Sequence, residues 1–236
     1  MAKDLIHELD AVEKKSLPLV LDIGALQGLK KMPVDVFDNV YLGEVHNDAL
    51  ILCIDVRNFS EYLCSHDEDS VFKLIKEFTA NLLSCINQFG YNCSYYKFLG
   101  DGVLIIWDEG NDDAVQAALT IFSTYTDFSN EELFKPTDNL SLGGSLVMEK
   151  AFKYEISAEL SELKYRDYVG YGINLACRLQ KLAAANELIV NEVLVKKRGI
   201  PYHVGENPRI QKTLSLFKGL KEEDRQRVLF YGSKEA

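Results

Sequence analysis

The stretch YYKFLGDGVLIIW, residues 95–107, constrains the fold most. Two apolar runs of strand length flank Leu-Gly-Asp-Gly, and an Asp-Gly pair between such runs signals a hairpin, because the favoured tight turns need positive φ. A chain carrying this stretch therefore builds antiparallel sheet. The plain reading makes Asp101 a turn residue and Lys97 a solvated charge. Whether they do more depends on what the neighbouring elements bring beside them.

Upstream, ALILCIDV (49–56) is a continuous apolar run of strand length closed by Asp55. Asn58 or Ser60 can cap a helix, and residues 69–89 carry helical periodicity that ends at Gly90. The hairpin follows, as roughly 93–98 and 102–107, and then a second amphipathic helix over 112–128 with acidic residues in its first turn. Residues 140–150 read as a strand, 171–185 as a third helix, and 187–191, 212–217 and 227–232 as late strands. The order strand, helix, hairpin, helix, strand predicts an α+β fold with a ferredoxin-like βαββαβ core and extensions. Residues 1–47 form a lead-in, irregular after Pro33 and too apolar for a solvated tail. They are expected to pack on the main domain, 48–236, or across a subunit interface.

A chain of 236 residues can bury roughly 70–75% of its unfolded surface, enough for a core without disulfides or structural metals. The net charge of −10 argues against nucleic acid or a membrane surface as partner, while leaving room for a local basic pocket that takes an anion. Five cysteines, at 53, 64, 85, 93 and 177, match no metal-ligand spacing and read as reduced core residues. No apolar stretch reaches membrane-span length and the N-terminus lacks a signal-peptide core, so a cytoplasmic location is expected.

The chemistry-bearing positions sit at element ends. Asp55 closes the first strand and Asp101 tops the hairpin, and in a βαββαβ sheet those strands are neighbours. Two carboxylates at one end of a sheet repel each other unless a cation lies between them, and hard oxygen ligands suit Mg²⁺ or Mn²⁺ completed by substrate phosphates. After Asp55 the backbone of Arg57, Asn58, Phe59 and Ser60 opens a helix, a seat for a polyphosphate. The plain alternative is an N-cap and a turn. In YGINLACRLQKLA, Asn174 and Arg178 are four residues apart and share a helix face. They read either as a structural pair or as an Arg aimed at phosphate charge with an Asn that orients a sugar.

Together FLGDG preceded by Lys97, IDVRNFS with Asp55, and DYVGYGINLACRL with Asn174 and Arg178 resemble the class III nucleotidyl cyclases, over about residues 49–232. The resemblance implies two divalent ions on Asp55, Asp101 and the carbonyl of Val56, with in-line attack of a ribose 3′-oxygen on the α-phosphorus and loss of pyrophosphate. It implies that Asn174 orients the ribose, that Arg178 stabilises the α-phosphoryl oxygens, and that Lys218 in FKGL holds the outer phosphates. Lys97 and Asp167 fall where the family reads the base. The family builds each site from two subunits, and this one chain carries both residue sets, which implies a homodimer with two equivalent sites.

Lys97 and Asp167 supply a donor and an acceptor, which suit adenine, uracil and cytosine and exclude guanine better than they exclude the pyrimidines. Tyr171 and Gly172 depart from the family pattern, Tyr96 precedes Lys97, and Asn58 stands where the family has Gly. Extra aromatic volume favours a smaller base. A free-standing chain of this size also resembles the pyrimidine cyclases of Pycsar antiphage systems, which implies cyclic UMP, or secondarily cyclic CMP, as product and signal. The alternatives are a soluble adenylate cyclase and a non-catalytic cyclase-like module for dimerisation or nucleotide sensing. The latter would be marked by loss of a metal Asp or of the Asn/Arg pair, and all four residues are present.

Overall fold

The computed structural model describes residues 39–157, 164–198, 219–221 and 228–232. Most of the lead-in, the strand expected at 212–217 and Lys218 lie outside the described residues. The first strand, β1, runs Asn39–Arg57 and so begins inside the segment read as a lead-in. A short helix α1 (Phe59–Ser65) and a long one, α2 (Glu68–Phe89), follow. The hairpin strands β2 (Tyr95–Phe98) and β3 (Gly102–Trp107) precede α3 (Asp112–Phe128) and β4 (Ser141–Ser157). Then come β5 (Lys164–Val169), α4 (Tyr171–Gln180), β6 (Glu187–Asn191), α5 (Glu192–Arg198) and β7 (Val228–Gly232).

One seven-stranded sheet has the order β2-β3-β1-β4-β6-β7, with β5 paired to β4. Its first four strands stand in the order expected of a βαββαβ core. β1 and β3 are antiparallel, with Leu50 opposite Trp107 and Asp55 opposite Gly102. β2 pairs antiparallel with β3, placing Lys97 opposite Leu104.

The unbroken apolar run of β1 has a direct cause, since both of its faces are covered. Leu50, Leu52, Ile54 and Val56 pack with Val103, Ile105 and Trp107 against α2 and α3. Ala49, Ile51 and Cys53 pack with Leu104 and Ile106 against Leu175, Ala176 and Leu179 of α4. Each fully buried Leu or Ile is worth about 1.5–3 kcal/mol of transfer free energy, so this central strand anchors the domain. Asp67 caps α2 by accepting from the Ser70 amide at 2.9 Å, and Asn111 caps α3 by accepting from the Ala114 amide at 2.9 Å. The buried Tyr125 hydroxyl donates to the Phe78 carbonyl at 2.7 Å and ties the two helices together.

Three expectations change. The helix expected over 171–185 stops at Gln180, where the amides of Leu182 and Ala183 turn back to Leu179 and Gln180. The Glu187 carboxylate then accepts from the Ala184 amide, and Asn186 takes φ 59°, so local hydrogen bonding overrides the helical preference of the alanine run. β5 was not foreseen, because YRDYV carries too many polar residues to read as a strand. Cys64 is exposed rather than in the core, although all five cysteines are free.

The chain divides into two compact units, Met1–Leu42 with Tyr154–Asp167, and Gly43–Lys153 with Tyr168–Ala236. In the smaller unit the Tyr154 and Tyr165 rings lie 6.0 Å apart and Arg166 pairs with Glu155. The larger unit holds the two apolar clusters described above.

Candidate active site

Asp55 lies near the end of β1, half-buried between the buried Ile54 and Val56, and the hairpin closes beside it. The loop between β2 and β3 is not the expected two-residue turn at Asp-Gly. Only Gly100 takes positive φ, at 76°, and the Leu99 amide donates to the Gly102 carbonyl at 2.8 Å. Asp101 has ordinary backbone geometry, and its carbonyl accepts from the Val56 amide at 3.1 Å. This bond stitches the hairpin crown to β1, so Asp101 is fixed next to Asp55 rather than left at a mobile tip. Gly102 is required there, because a Cβ would lie 2.6 Å from the Ile54 carbonyl oxygen and 3.0 Å from Asp55 Oδ1.

The two carboxylates act on each other. Burial, and then the charge of Asp101, push the Asp55 carboxyl above its ordinary value, against the opposing pull of Arg57, the neighbouring Gln180 side chain and Lys181. Arg57 Nη1 stands 3.9 Å from Asp55 Oδ2, too far for a strong pair. Its Nη2 donates instead to the Gln180 carbonyl, and Nε is buried without a hydrogen-bond partner among the described residues. The guanidinium lies across Gly143, where a Cβ would meet Nε at 2.3 Å. Burial lowers the Arg57 pKa. With its side chain committed to the end of α4, Arg57 leaves only its backbone for an anion.

Asn58 takes φ 62° and ψ 15°, the left-handed conformation that Asn tolerates best after Gly. This accounts for an Asn where the resembling family has Gly. Its carbonyl accepts from the amides of Glu61 and Tyr62, both at 3.1 Å, while its side chain donates to the Asn139 carbonyl at 2.8 Å. Phe59 packs into the core beside Tyr62, and Ser60 is exposed at the start of α1.

Asn174 and Arg178 share a face of α4, with Asn174 exposed, Arg178 half-buried, and Leu175 and Leu179 turned inward. The charges that act most on Asp55 are Asp101, Arg57 and Lys181. A Cβ on Gly219, the residue after Lys218, would lie 3.9 Å from Arg178 Nη1. Beneath the helix the Cys53 and Cys177 thiols act on each other, which lowers the Cys177 thiol and, with burial, raises that of Cys53.

Lys97 is half-buried on the sheet face that carries Tyr95 and Leu104. Tyr96 points to the opposite face, is 44% exposed and contacts Phe98, so it cannot narrow a pocket shared with Lys97. Tyr171 is held firmly: its hydroxyl accepts from the Lys221 amide at 2.8 Å, and Lys221 Nζ sits 4.6 Å above its ring. Asp167 lies in the smaller unit, buried, accepting from the Tyr165 hydroxyl at 2.6 Å, whereas Lys97 lies in the larger.

Sequence reasoning missed Gly102 as a close-approach residue, and it missed Gln180 and Lys181 as neighbours of Asp55. The glycine stood in plain view within LGDG, while Gln180 and Lys181 carry no local signal because the end of α4 reaches β1 only through tertiary packing.

No protein-family model matches the chain, and no curated protein matches it. Solved structures do. The adenylyl cyclase CyaB from P. aeruginosa superposes with a TM-score of 0.61 at 17% identity, covering 82% of this chain and 97% of that one. The guanylyl cyclase Cya2 gives 0.58 at 18% identity, covering 80% and 92%. The monomeric guanylyl cyclase domain of the RhoGC fusion protein from the aquatic fungus Blastocladiella emersonii gives 0.56 at 12%, covering 70% and 92%. The mixed sheet-and-helix architecture of this chain is therefore the fold of adenylyl and guanylyl cyclase catalytic domains.

Proposed function

We propose that the protein is a nucleotidyl cyclase that converts a nucleoside triphosphate to its 3′,5′-cyclic nucleotide and pyrophosphate. The observation that carries this reading is the convergence of Asp55 and Asp101, tied by the Val56–Asp101 backbone bond, where burial first and the charge of Asp101 second raise the Asp55 carboxyl. A half-buried carboxylate pair with excess negative charge fits divalent cations, and Asp55, Asp101 and the Val56 carbonyl would hold two of them, Mg²⁺ or Mn²⁺. Bound there, the ions would supply activation of the ribose 3′-hydroxyl and neutralisation of the triphosphate.

The chain's own residues do the rest. The backbone of Arg57, Asn58, Phe59 and Ser60 lies beside the carboxylates and seats phosphates. Asn174 orients the ribose, Arg178 faces the charge that grows on the α-phosphoryl oxygens, and Lys218 takes the outer phosphates. As the 3′-oxygen bonds to the α-phosphorus, the bond to the bridging oxygen breaks, pyrophosphate departs and the hydroxyl proton passes to water. Since the resembling family builds each site from two subunits and this one chain carries both residue sets, the Asn/Arg pair of each site is supplied by a second copy, giving a homodimer with two shared sites.

For the base we propose a pyrimidine, UTP in preference to CTP, read by Lys97 and Asp167. Tyr171, four residues beyond Asp167 in sequence and clamped by Lys221, provides fixed aromatic volume. Tyr96 contributes nothing to that argument. On this reading the protein is a cytoplasmic generator of a cyclic pyrimidine nucleotide signal in antiphage defence. Adenylate cyclase is the second reading, favoured by the fit of the same donor–acceptor pair to adenine and by the likeness to an adenylyl cyclase fold.

The test is incubation of the purified protein with each of the four nucleoside triphosphates and Mn²⁺, with products identified by mass spectrometry and Asp101→Ala as control. Cyclic UMP as the main product supports the full reading. Cyclic AMP formed at least as efficiently replaces the pyrimidine reading with the adenylate one. No cyclic product from any substrate overturns the enzyme assignment.

A further inference from the structure

The end of the sheet opposite the carboxylate pair holds a second cluster of metal-ligating atoms. Glu44 and His46 lie near the start of β1 and Asp108 follows β3. His46 is nine residues from Asp55, about 30 Å along an extended strand. His46 Nε2 is 3.4 Å from Glu44 Oε2 and 3.5 Å from Asp108 Oδ1, and the three ligand atoms all lie within 4.8 Å of one another. Among the described residues this is the one group of three or more such side chains close enough to share an ion.

We propose that Glu44, His46 and Asp108 form a zinc site with the fourth position taken by water. Four features carry the assignment. First, His46 Nε2 is buried and has no hydrogen-bond partner among the described residues, an arrangement that costs free energy unless a ligand fills the gap. Second, the spacings are wrong for ion-pair hydrogen bonds, which close to about 2.7–2.9 Å. They are right for a tetrahedral ion, because zinc bonds near 2.1 Å place neighbouring ligand atoms about 3.4 Å apart. Third, Asp108 is already oriented, since the Tyr168 hydroxyl donates to its Oδ1 at 2.7 Å, the outer-shell support that metal-binding carboxylates commonly receive. Fourth, one imidazole and two carboxylates favour zinc over magnesium, which prefers an all-oxygen octahedral shell. Lys153 Nζ lies 3.4 Å from the same Glu44 oxygen and competes with the ion for it. A zinc ion there would tie the start of β1 to the end of β3 and Tyr168, independently of any cyclase reaction.

The experiment uses the full chain carrying Asp55→Asn and Asp101→Asn, so that the carboxylate pair takes up no metal. The protein is stripped with chelator and titrated calorimetrically with Zn²⁺ in millimolar Mg²⁺. One zinc per chain is expected. His46→Gln or Asp108→Asn, added to that background, should weaken binding by at least about tenfold with an unchanged circular dichroism spectrum. Cobalt in place of zinc should give the intense visible bands of a four-coordinate site, absent from the His46 variant. Glu44→Gln alters a largely exposed side chain, so it tests the assignment even if an inner variant fails to fold. The proposal is overturned if the parent binds no zinc, or if it binds zinc no more tightly than these variants do.

Discussion

Replacing Gly102 with Ala probes the junction on which the carboxylate pair depends. The new Cβ would fall 2.6 Å from the Ile54 carbonyl oxygen and 3.0 Å from Asp55 Oδ1. Backbone cannot rotate out of the way as a flexible side chain can, so β1 and β3 must part by roughly 0.5 Å, a gap at which packed atoms forfeit a quarter or more of their attraction. The strain falls between Ile54 and Val103, both fully buried in the core. Overpacking of this kind costs about 1–3 kcal/mol. For a domain of this size each kcal/mol moves the melting temperature by about 2–4 °C, so a fall of roughly 2–12 °C is expected. The contact at Asp55 Oδ1 also displaces that carboxylate. A misplacement near 1 Å can lower turnover by about 100-fold, more than the stability loss alone would do. Differential scanning fluorimetry without metal reads the first effect, and mass-spectrometric product formation with Mn²⁺, well below the melting temperature, reads the second. A Gly102→Ala protein that melts with the parent and turns over normally would refute the close-approach argument and the placement of Asp55 that rests on it.

Asp55 also sets a pH dependence. Its carboxyl is raised in the fold, so the native chain holds that proton more tightly than the unfolded chain, and stability is lost as pH climbs from the ordinary value of 3.8 through the raised one. Asp55→Asn should therefore melt higher than the parent at pH 7 without metal, with the advantage gone below the ordinary carboxyl range, and Mn²⁺ should raise the melting temperature of the parent far more than that of the variant. Mixing the inactive variants Asp101→Ala and Arg178→Ala should restore part of the activity, because one composite site per heterodimer stays intact; exchanging subunits with no recovery would rule out shared sites. Tyr125→Phe removes a buried donor from the Phe78 carbonyl and should destabilise by about 1 kcal/mol in chemical denaturation. Tyr171→Ala should release Lys221 and admit ATP relative to UTP, and unchanged preference would remove Tyr171 from base selection.

Much of the architecture could be read along the chain because its signals are local. The apolar run at 49–56, the Gly90 stop, the acidic turn at 112–113 and the LGDG hairpin each act within a few residues, so the βαββαβ order and the third strand Gly102–Trp107 emerged from spacing alone. The pairing of Asp55 with Asp101 followed from strand adjacency in that topology. Tertiary structure decided what local signals cannot carry. It decided that β1 starts at Asn39, since pairing and burial rather than hydropathy extend a strand. It turned Tyr96 away from Lys97, because alternate residues on a strand face opposite sides whatever their chemistry. It spent the charge of Arg57 on the Gln180 carbonyl, 123 residues away in sequence. And it gathered Glu44, His46 and Asp108 at the far end of the sheet, where only the antiparallel register of β1 and β3 brings residues so distant in sequence within reach of one ion.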